Sequence, residues 1–549
     1  MPAYALALAL LVTGPLLGPG YLLLRDAVST PRSYLTDAAL GLSEAAPRAL
    51  PQDFLVAVLS SMIDGGVLVK ALLIAGLWAA GWGAAHLVAT VVPDAGLAGR
   101  FVAATLAIWN PYVAERLLQG HWSLLVGYGA LPWVAAAVLR ARSGDGGWWP
   151  VVGSIAVAGL TPTGLMLAAV VALAGCAAPG GGRPRWACAA VSMVAAVAGA
   201  LPWLVASVVG DSLASSQAVG ISAFAARAEP GLGTLGSLAG LGGIWNADAI
   251  PASRTSLFAV VATVVLLAVV AVGLPVALRR PGAVALLVLA GVAVVAPALM
   301  ATGPGLAAVE SIVRSVPGLG VLRDGQKWVA LALPGYAVAA GAAVVTLRGR
   351  VPAVAAAAVC CAALVAVLPD LAWGVGGQMT AVRYPAGWTA VARAVNADPR
   401  PVAVLPPDSM RTFGWAGTAP VLDPLPRWVS ADVLSTGDLV IGGEVIPGEG
   451  VRAREVQRLL LEGADASALA RAGVGWVMVE SGAAALDLPV TYRDDDLVLY
   501  RVGGDHPPAA HRGTLIAAHL VWLATILAAV VGGAVGALRR RRAAAAASQ

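Results

Sequence analysis

The feature that most constrains this chain is the recurrence of apolar runs long enough to cross a bilayer, from the N-terminus almost to the C-terminal end. The run at residues 257–278, for example, holds no charged residue. A spanning α-helix needs about 20 such residues, whereas a membrane β-barrel shows short segments of alternating polarity. With 59% hydrophobic and 12% charged residues, the sequence predicts a polytopic α-helical membrane protein.

Basic residues set the predicted orientation, because Lys and Arg accumulate in short cytoplasmic loops. The five basic clusters are Arg140 with Arg142, Arg183 with Arg185, Arg279 with Arg280, Arg348 with Arg350, and residues 539–542. Placing all five inside puts both termini in the cytoplasm. It puts the first loop, the loop near Glu115, and residues 210–253, 302–326 and 372–511 outside.

Residues 148–177 test this orientation, because they lie between two cytoplasmic clusters and must cross an even number of times or not at all. The sequence Thr161-Pro162-Thr163-Gly164 interrupts them near the middle. Two short arms meeting at a helix-breaking turn are therefore predicted. That turn is either the floor of a cavity or a simple tight hairpin. Counting the arms gives about twelve membrane helices.

Three regions differ in composition: a membrane domain at 1–371, a soluble α/β domain at 372–511, and a final helix with a basic cytoplasmic tail at 512–549. Within the soluble region, the pattern predicts buried strands at residues 401–405 and 475–480 and an amphipathic helix at 451–462. It also predicts a hairpin at residues 490–501, with its turn at Asp494-Asp495-Asp496. Asp494 and Asp496 also form a D-x-D, which can hold a metal and a nucleotide-sugar, but here it lies where a hairpin needs turn residues and where the cell exterior supplies no nucleotide-sugar, so no metal site is predicted.

The stretch at 110–133, NPYVAERLLQGHWSLLVGYGALPW, places Glu115, Arg116, Gln119 and His121 between two apolar runs. Charge in such surroundings is costly, so it has a partner or a use. We expect this stretch to form one wall of a site, with Glu115 a catalytic candidate and Arg116 and His121 substrate-binding candidates.

The first apolar run, residues 3–24, is expected to be a retained helix that ends at Arg25 and Asp26. Asp26 is the first candidate for the base that takes a proton from an acceptor hydroxyl. The alternative is a helix-end charge paired with Arg25, a substrate-binding candidate. Asp37 and Asp53 are weaker candidates that fit salt-bridged loop residues.

The outer loop 302–327 ends in Arg323-Asp324-Gly325-Gln326-Lys327, just before an apolar run. Arg323 and Lys327 are four apart, so in a helix they would share a face and could receive phosphate oxygens. Asp324 completes the predicted substrate-binding set. The alternative reading is an interfacial anchor with an internal Arg-Asp pair.

No familiar catalytic signature occurs: the sequence lacks a G-x-S-x-G, a P-loop and an H-E-x-x-H. The four cysteines lie in apolar runs without metal-type spacing. Chemistry, if present, depends on the outer-face carboxylates, with cations for a leaving phosphate.

Three stretches, PRSYLTDAALGLSEAAPRALPQD, NPYVAERLLQGHWSLLVGYGALPW and VLRDGQKWVALALPGYAV, resemble actinobacterial membrane proteins related to the GT-C superfamily of polyprenyl-phosphate-sugar-dependent glycosyltransferases. The resemblance implies a sugar transfer at the extracytoplasmic face of the plasma membrane, from a polyprenyl-phosphate donor to an envelope glycan or glycolipid. It places the family's first-loop acid on Asp26. This chain lacks the usual Asp-Asp or Asp-Glu pair there, which leaves a divalent cation an open question. The expected partners are the lipid bilayer, the lipid-linked sugar and the glycan acceptor, and no nucleic acid.

Two other functions stay open from the sequence. A transporter or flippase for a lipid-linked envelope precursor would use Lys70 and His86 inside the second apolar run together with the broken segment 148–177. A non-catalytic scaffold for envelope assembly would act through the soluble region.

Overall fold

The computed structural model describes residues 1–210, 220–316, 318–407, 409–441, 443–480, 486–507 and 509–547. The N-terminal two thirds of the chain are helical apart from one hairpin of two short strands. Its elements are α1 Pro2–Thr13, β1 Tyr21–Leu24, β2 Ala27–Val28, α2 Asp37–Leu40, α3 Gln52–Leu59, α4 Gly65–Val91, α5 Gly96–Ile108, α6 Pro111–Leu118, α7 Trp122–Ser143, α8 Trp148–Ala158, α9 Pro162–Ala177, α10 Arg185–Val209, α11 Gly233–Ala239, α12 Phe258–Leu278, α13 Pro281–Met300, α14 Gly303–Ser315, α15 Leu333–Leu347, α16 Ala353–Ala366 and α17 Ala372–Gly377.

The remainder mixes strands and helices and ends in one long helix. Its elements are β3 Ala381–Val382, α18 Ala386–Ala397, β4 Val402–Leu405, β5 Met410–Arg411, β6 Val421–Leu422, α19 Leu425–Trp428, β7 Val433–Leu434, β8 Leu439–Ile441, β9 Glu444–Ile446, α20 Val451–Leu461, α21 Ala466–Arg471, β10 Trp476–Glu480, β11 Val490–Arg493, β12 Leu497–Arg501 and α22 Arg512–Ala547.

Seven helical segments of the described chain are long and apolar enough to cross a membrane, or eight if a pair bent by 76° counts as one span. The seven are Gly65–Val91, Trp122–Ser143, Arg185–Val209, Phe258–Leu278, Pro281–Met300, Gly325–Leu347 and Arg512–Arg539, and the bent pair is Ala353–Ala366 with Pro369–Gly377. Shorter apolar helices cover Pro2–Leu17, Trp148–Ala158 and Pro162–Ala177. The polytopic helical class is confirmed, while the count of twelve stays a prediction.

Helices α4 and α7 pack closely at the centre because glycines bring their backbones together. A Cβ on Gly129 would lie 2.1 Å from the carbonyl oxygen of Gly76. Small residues at such crossings are typical of membrane helix pairs. The first half of α7 is therefore fixed against α4.

The break predicted in residues 148–177 is present, since α8 ends at Ala158 and α9 begins at Pro162. Thr161 caps α9 by accepting a hydrogen bond from the Gly164 amide at 3.0 Å. A Cβ on Gly164 would lie 2.4 Å from the Ala158 oxygen and 3.2 Å from Gly127. The turn is thus packed tightly between its own arms and α7, as the hairpin alternative expects.

The first helix is shorter than the sequence suggested, and this expectation was wrong. Helix α1 ends at Thr13, a 3-10 turn follows to Leu17, and Tyr21–Leu24 is a strand. Pro15 and Pro19 remove backbone donors, and Gly20 adopts a φ of +127°. Asp26 consequently lies on a hairpin and not at a helix end.

The C-terminal sheet has the strand order β11-β12-β10-β4-β7, with β10, β4 and β7 parallel. The predicted strands, the amphipathic helix and the hairpin at 490–501 are all present. Asp494 accepts from the amides of Asp496 and Leu497, at 2.9 and 2.7 Å, so the aspartates make the turn. Strand β1 also pairs with β3, and Leu23 lies in the core of this region.

Candidate active site

Asp26 lies in the two-residue turn of the β1–β2 hairpin, because Leu24 pairs with Ala27. Arg25, the first residue of the turn, has a φ of 49°, a strained value for a residue with a side chain. The C-terminal region holds this conformation: the Arg25 amide donates to the Pro420 oxygen at 3.0 Å, and the Leu422 amide donates to the Arg25 oxygen at 2.9 Å. The Asp26 side chain is 35% exposed.

The Asp26 carboxylate is oriented by two residues of the 110–133 stretch. Its Oδ2 accepts from Gln119 Nε2 at 3.0 Å and bonds His121 Nε2 at 2.9 Å. Partial burial tends to raise the pKa of Asp26, but the hydrogen bond to His121, the one to Gln119 and the charge of Arg116 outweigh it. The pKa therefore lies below its usual value, and Asp26 is ionised and ready to accept a proton.

His121 is held in turn by Arg116, whose Nη1 lies 2.9 Å from His121 Nδ1. An arginine only donates, so Nδ1 accepts and the ring hydrogen lies on Nε2, pointing at Asp26. Arg116 also makes two parallel bonds to Asp324, at 2.8 and 3.1 Å, and donates to Gln326 Oε1. Burial alone would raise the pKa of the Asp324 carboxyl, but Arg116 outweighs it and lowers that pKa to about 2.

The end of α6 explains why His121 is in this place. The His121 amide donates to the Arg116 oxygen at 2.9 Å and the Gly120 amide to the Leu117 oxygen at 3.0 Å. This is the Schellman arrangement, which requires a left-handed residue, and Gly120 has a φ of +85°. A Cβ on Gly120 would also lie 2.3 Å from the Ala27 amide nitrogen. Glycine is needed there for the turn and for contact with the Asp26 hairpin.

Glu115 is completely buried. Its two oxygens accept from the amides of Gly243 and Ile244, both at 3.1 Å, and from Gln326 Nε2 at 3.0 Å. Burial and, after it, the negative charge of Glu229 raise the pKa of Glu115 to about 8. This side chain fastens the loop at 243–244 to α6 and does not reach solvent.

Arg323 and Lys327 lie at the entrance to the span that begins at Gly325, but they do not share an α-helical face as predicted. Asp324 caps a 3-10 helix by accepting from the Lys327 amide at 3.3 Å, so Arg323 stays outside it. The Arg323 guanidinium lies 4.2 Å from the centre of the Phe224 ring. Burial, and then the charge of Arg48, lower the pKa of Arg323 to about 10. Arg48, a residue of the first loop, is itself ion-paired with Glu449.

Arg25 was predicted to bind substrate, but its guanidinium donates to the oxygens of Leu118, at 2.6 Å, and Asp248, at 2.5 Å. The side chain is 5% exposed. Arg25 therefore fastens the end of α6 and the turn at Asp248 to the hairpin. The weaker base candidates are ion-paired, as expected: Asp37 with Arg512, and Asp53 with Arg427 at 3.3 Å.

With this geometry in place, comparison with solved structures gives a match to the arabinofuranosyltransferase AftD from Mycobacteria. The TM-score is 0.54 at 19% identity, over 92% of this chain. The two chains therefore share a fold over this length. The chain spans only 42% of the AftD chain. No protein-family description matches the sequence, and no curated protein matches it.

Several residues that hold the site together were missed by the sequence reasoning. Arg48, Gln326 and Gly120 were given no role, and Gln119 was named without one. A glycine directly after a short helix is a readable signal for the end of α6. The proximity of Arg48 to Arg323 depends on loops far apart in the chain, and no local pattern predicts it.

No group of three or more His, Cys, Asp or Glu side chains in the described part of the chain could hold a metal ion. Asp26 has a histidine and a glutamine as its neighbours where a second carboxylate would be needed to share a divalent cation.

Proposed function

We propose that this protein is a membrane glycosyltransferase that moves a sugar from a polyprenyl-phosphate donor to a glycan or glycolipid of the cell envelope. The observation that carries the proposal is Asp26: a partly exposed, ionised carboxylate held by His121 and Gln119 on a strained hairpin. A GT-C-like fold surrounds it. An ionised carboxylate with one oxygen free of protein donors can accept the proton of a hydroxyl in the transition state.

The reaction follows from the two sides of the site. The free oxygen of Asp26, Oδ1, takes the proton of an acceptor hydroxyl, whose oxygen attacks the anomeric carbon of the donor sugar. The bond from that carbon to the phosphate oxygen breaks, and its electron pair leaves with the polyprenyl phosphate. Arg323 and Lys327 stabilise the charge that builds up on this phosphate.

The remaining predicted site residues position these groups. Arg116 and Asp324 hold His121, and Glu115 fixes the outer loop that covers them. We therefore assign Glu115 a positioning role, because a fully buried carboxylate with three donors cannot meet an acceptor.

The proposed sidedness is extracytoplasmic for the site and cytoplasmic for the basic clusters. Helix α7 begins directly after His121 and carries Arg140 and Arg142 in its last turn. Its 22 residues cover about 33 Å, which matches the roughly 30 Å of a bilayer core. Arg280 and Arg348 belong to two other basic clusters, and both donate hydrogen bonds to Asp94. These two clusters therefore lie together at one end of the membrane domain.

A tag placed within residues 220–253 or in the exposed loop near Asp487 should be reached from outside intact cells. A tag at residues 543–549 should be reached only after permeabilisation. External labelling of a tag at Arg183 would overturn the orientation.

The residues that suggested transport have structural partners. Lys70 Nζ donates to the oxygens of Gly18 and Gly20 at 3.0 and 2.9 Å, and His86 stacks on Trp133 with ring centres 5.2 Å apart. We therefore prefer transfer to translocation.

The test uses purified protein in nanodiscs with radiolabelled polyprenyl-phosphate sugars, arabinofuranose first because of the neighbour's activity. Envelope glycan fragments serve as acceptors, and empty nanodiscs are the control. The proposal requires label in the acceptor and one polyprenyl phosphate released per sugar moved. Translocation of labelled lipid in proteoliposomes without transfer would overturn it in favour of a flippase.

A further inference from the structure

The loop at residues 243–248 is fastened to the candidate active site at three points. Its first two amides donate to Glu115, both at 3.1 Å. Asn246 Nδ2 donates to Gln119 Oε1 at 2.7 Å, and the last backbone oxygen of the loop accepts from Arg25 at 2.5 Å. The position of the residues between these points is therefore set by the site itself.

Trp245 belongs to this loop, and its ring is half-buried. Phe224 packs edge-on against it, with ring centres 4.7 Å apart. The indole N–H of Trp245 donates to no group in the described part of the chain, and it is not closed off from solvent. The ring is thus held in place on one side while part of its surface and one donor stay available to a ligand.

The same loop connects the two groups that the proposed reaction needs. On one side, the Arg323 guanidinium lies 4.2 Å from the centre of the Phe224 ring, which contacts Trp245. On the other side, the residue after Trp245 bonds Gln119, whose Nε2 donates to Asp26 Oδ2 at 3.0 Å. Two successive contacts therefore lead from the loop to the cation, and two lead to the base.

The charges along this path indicate the ligand. The Arg323 side chain donates no hydrogen bond to any described residue, so its N–H groups are available to a phosphate. Residues 243–247 carry no charge. An amphipathic tryptophan ring with a free N–H suits a neutral ring that has C–H faces and hydroxyl groups. The path thus matches a phosphate ester of a sugar, with its phosphate at Arg323 and its sugar at Trp245.

We propose that Trp245 forms one wall of the donor subsite, contacts the sugar ring, and makes the protein prefer lipid phosphates that carry a sugar over those that do not. The inference rests on the proposed function for the identity of the donor, but binding is measured without transfer. Arg323 meets the phosphate of every such lipid, whereas Trp245 meets only a ligand with a sugar.

The test measures equilibrium binding of three radiolabelled ligands to the full-length protein in nanodiscs. The ligands are methyl farnesyl phosphate and the arabinofuranosyl and mannosyl esters in which a sugar replaces the methyl group, so all three carry the same charge. Empty nanodiscs correct for partition into lipid. The wild type should bind at least one sugar ester about tenfold more tightly than the methyl ester.

Trp245→Ala should abolish this preference by weakening the sugar ester alone, and Arg323→Ala should weaken all three ligands. Trp186→Ala is the matched control, because Trp186 is 74% exposed and lies at the start of α10, and it should bind like the wild type. Trp245→Phe keeps an aromatic ring and should retain most of the preference.

A further variant covers the case in which Trp245→Ala fails to fold. Trp245→Leu keeps apolar packing against Phe224 but has no flat ring, so it should also lose the preference. Equal weakening of the methyl ester in the folded variants would show a purely structural role and overturn the inference. A wild-type preference in these variants, or no preference in the wild type, would overturn it as well.

The inference and the proposed function fail in different ways. If the preference depends on Trp245 and no transfer occurs with any acceptor, the sugar-phosphate subsite stands and the enzyme function fails. If transfer occurs and the Trp245 variants keep the wild-type preference, the enzyme function stands and the subsite fails.

Discussion

The hairpin that carries Asp26 and the helix α6 that carries Glu115 are joined through Gln119 and His121, yet they hold their carboxylates in opposite ways. Asp26 is partly exposed, has two side-chain donors on one oxygen, and has a lowered pKa. Glu115 is fully buried among three donors and has a raised pKa. Two acids in one site thus suit different work: one is available to a substrate, and the other holds loops in place.

The largest effect is expected from Asp26→Asn. The amide keeps the shape of the side chain but cannot take the acceptor proton, so transfer should fall about a hundred- to ten-thousand-fold. The measurement is label transfer in nanodiscs, with thermal unfolding to show an intact fold. Asp487→Asn, at an exposed loop aspartate, is the matched control. Full activity in Asp26→Asn together with a dead Glu115→Gln would reverse the assignment.

Gly120→Ala should have the second-largest effect, because it acts where the two regions touch. The new Cβ would lie 2.3 Å from the Ala27 nitrogen and 2.4 Å from the Leu24 oxygen, so the hairpin must move. A displacement of about 1 Å in an active site can cost roughly a hundredfold in rate.

The control for this change is Gly96→Ala. Gly96 also has a positive φ, of +59°, but its Cβ would meet nothing within 4 Å. Both variants carry the backbone strain, and only Gly120→Ala carries the clash. Equal activities would show that the close approach to the hairpin is unimportant.

Arg323→Ala and Lys327→Ala should have smaller effects that fall on the donor. Each should raise KM for the polyprenyl-phosphate sugar about tenfold, since the cations share one phosphate. Arg350→Ala removes an exposed cation at the other end of the molecule and should leave KM unchanged. A fall in kcat alone would place these residues outside donor binding.

The smallest expected effect is that of pH, and it separates the two acids directly. Asp26 has a pKa below its usual value of 3.8, so it stays ionised and should give no rise in kcat/KM from about pH 6 to about pH 8. A base at Glu115, with its pKa raised to about 8, would instead make kcat/KM climb roughly tenfold per pH unit over that range. The profile of Glu115→Gln should match the wild type if Asp26 is the base.

Much of the architecture was readable from sequence, because the hydrophobic length rule acts locally. The apolar runs, the break at Thr161 and the strands around 402–405 and 476–480 all depend on residues within one element. The polar stretch with Arg116 and His121 also stood out, since charge between apolar runs needs partners.

Other features depend on contacts between distant parts of the chain. The strand Tyr21–Leu24 forms because β3 pairs with it, and the turn at Arg25 is held by Val421. Residues 3–24 contain no charged residue, so the sequence alone predicts one helix over the whole segment. Arg48 and Glu449 are likewise about 400 residues apart in the chain, and their ion pair depends on how distant segments pack. No local sequence pattern predicts it.

The bridge between Arg25 and Val421 also has a consequence for how the protein is made. Roughly 400 residues separate the two partners, and ribosomes add about 5–20 residues per second. The hairpin of the first loop therefore waits some tens of seconds, while most of the membrane helices insert, before the strand that braces it exists. A nascent or truncated chain carries Asp26 without this support, so the hairpin reaches its final conformation only when synthesis is nearly complete.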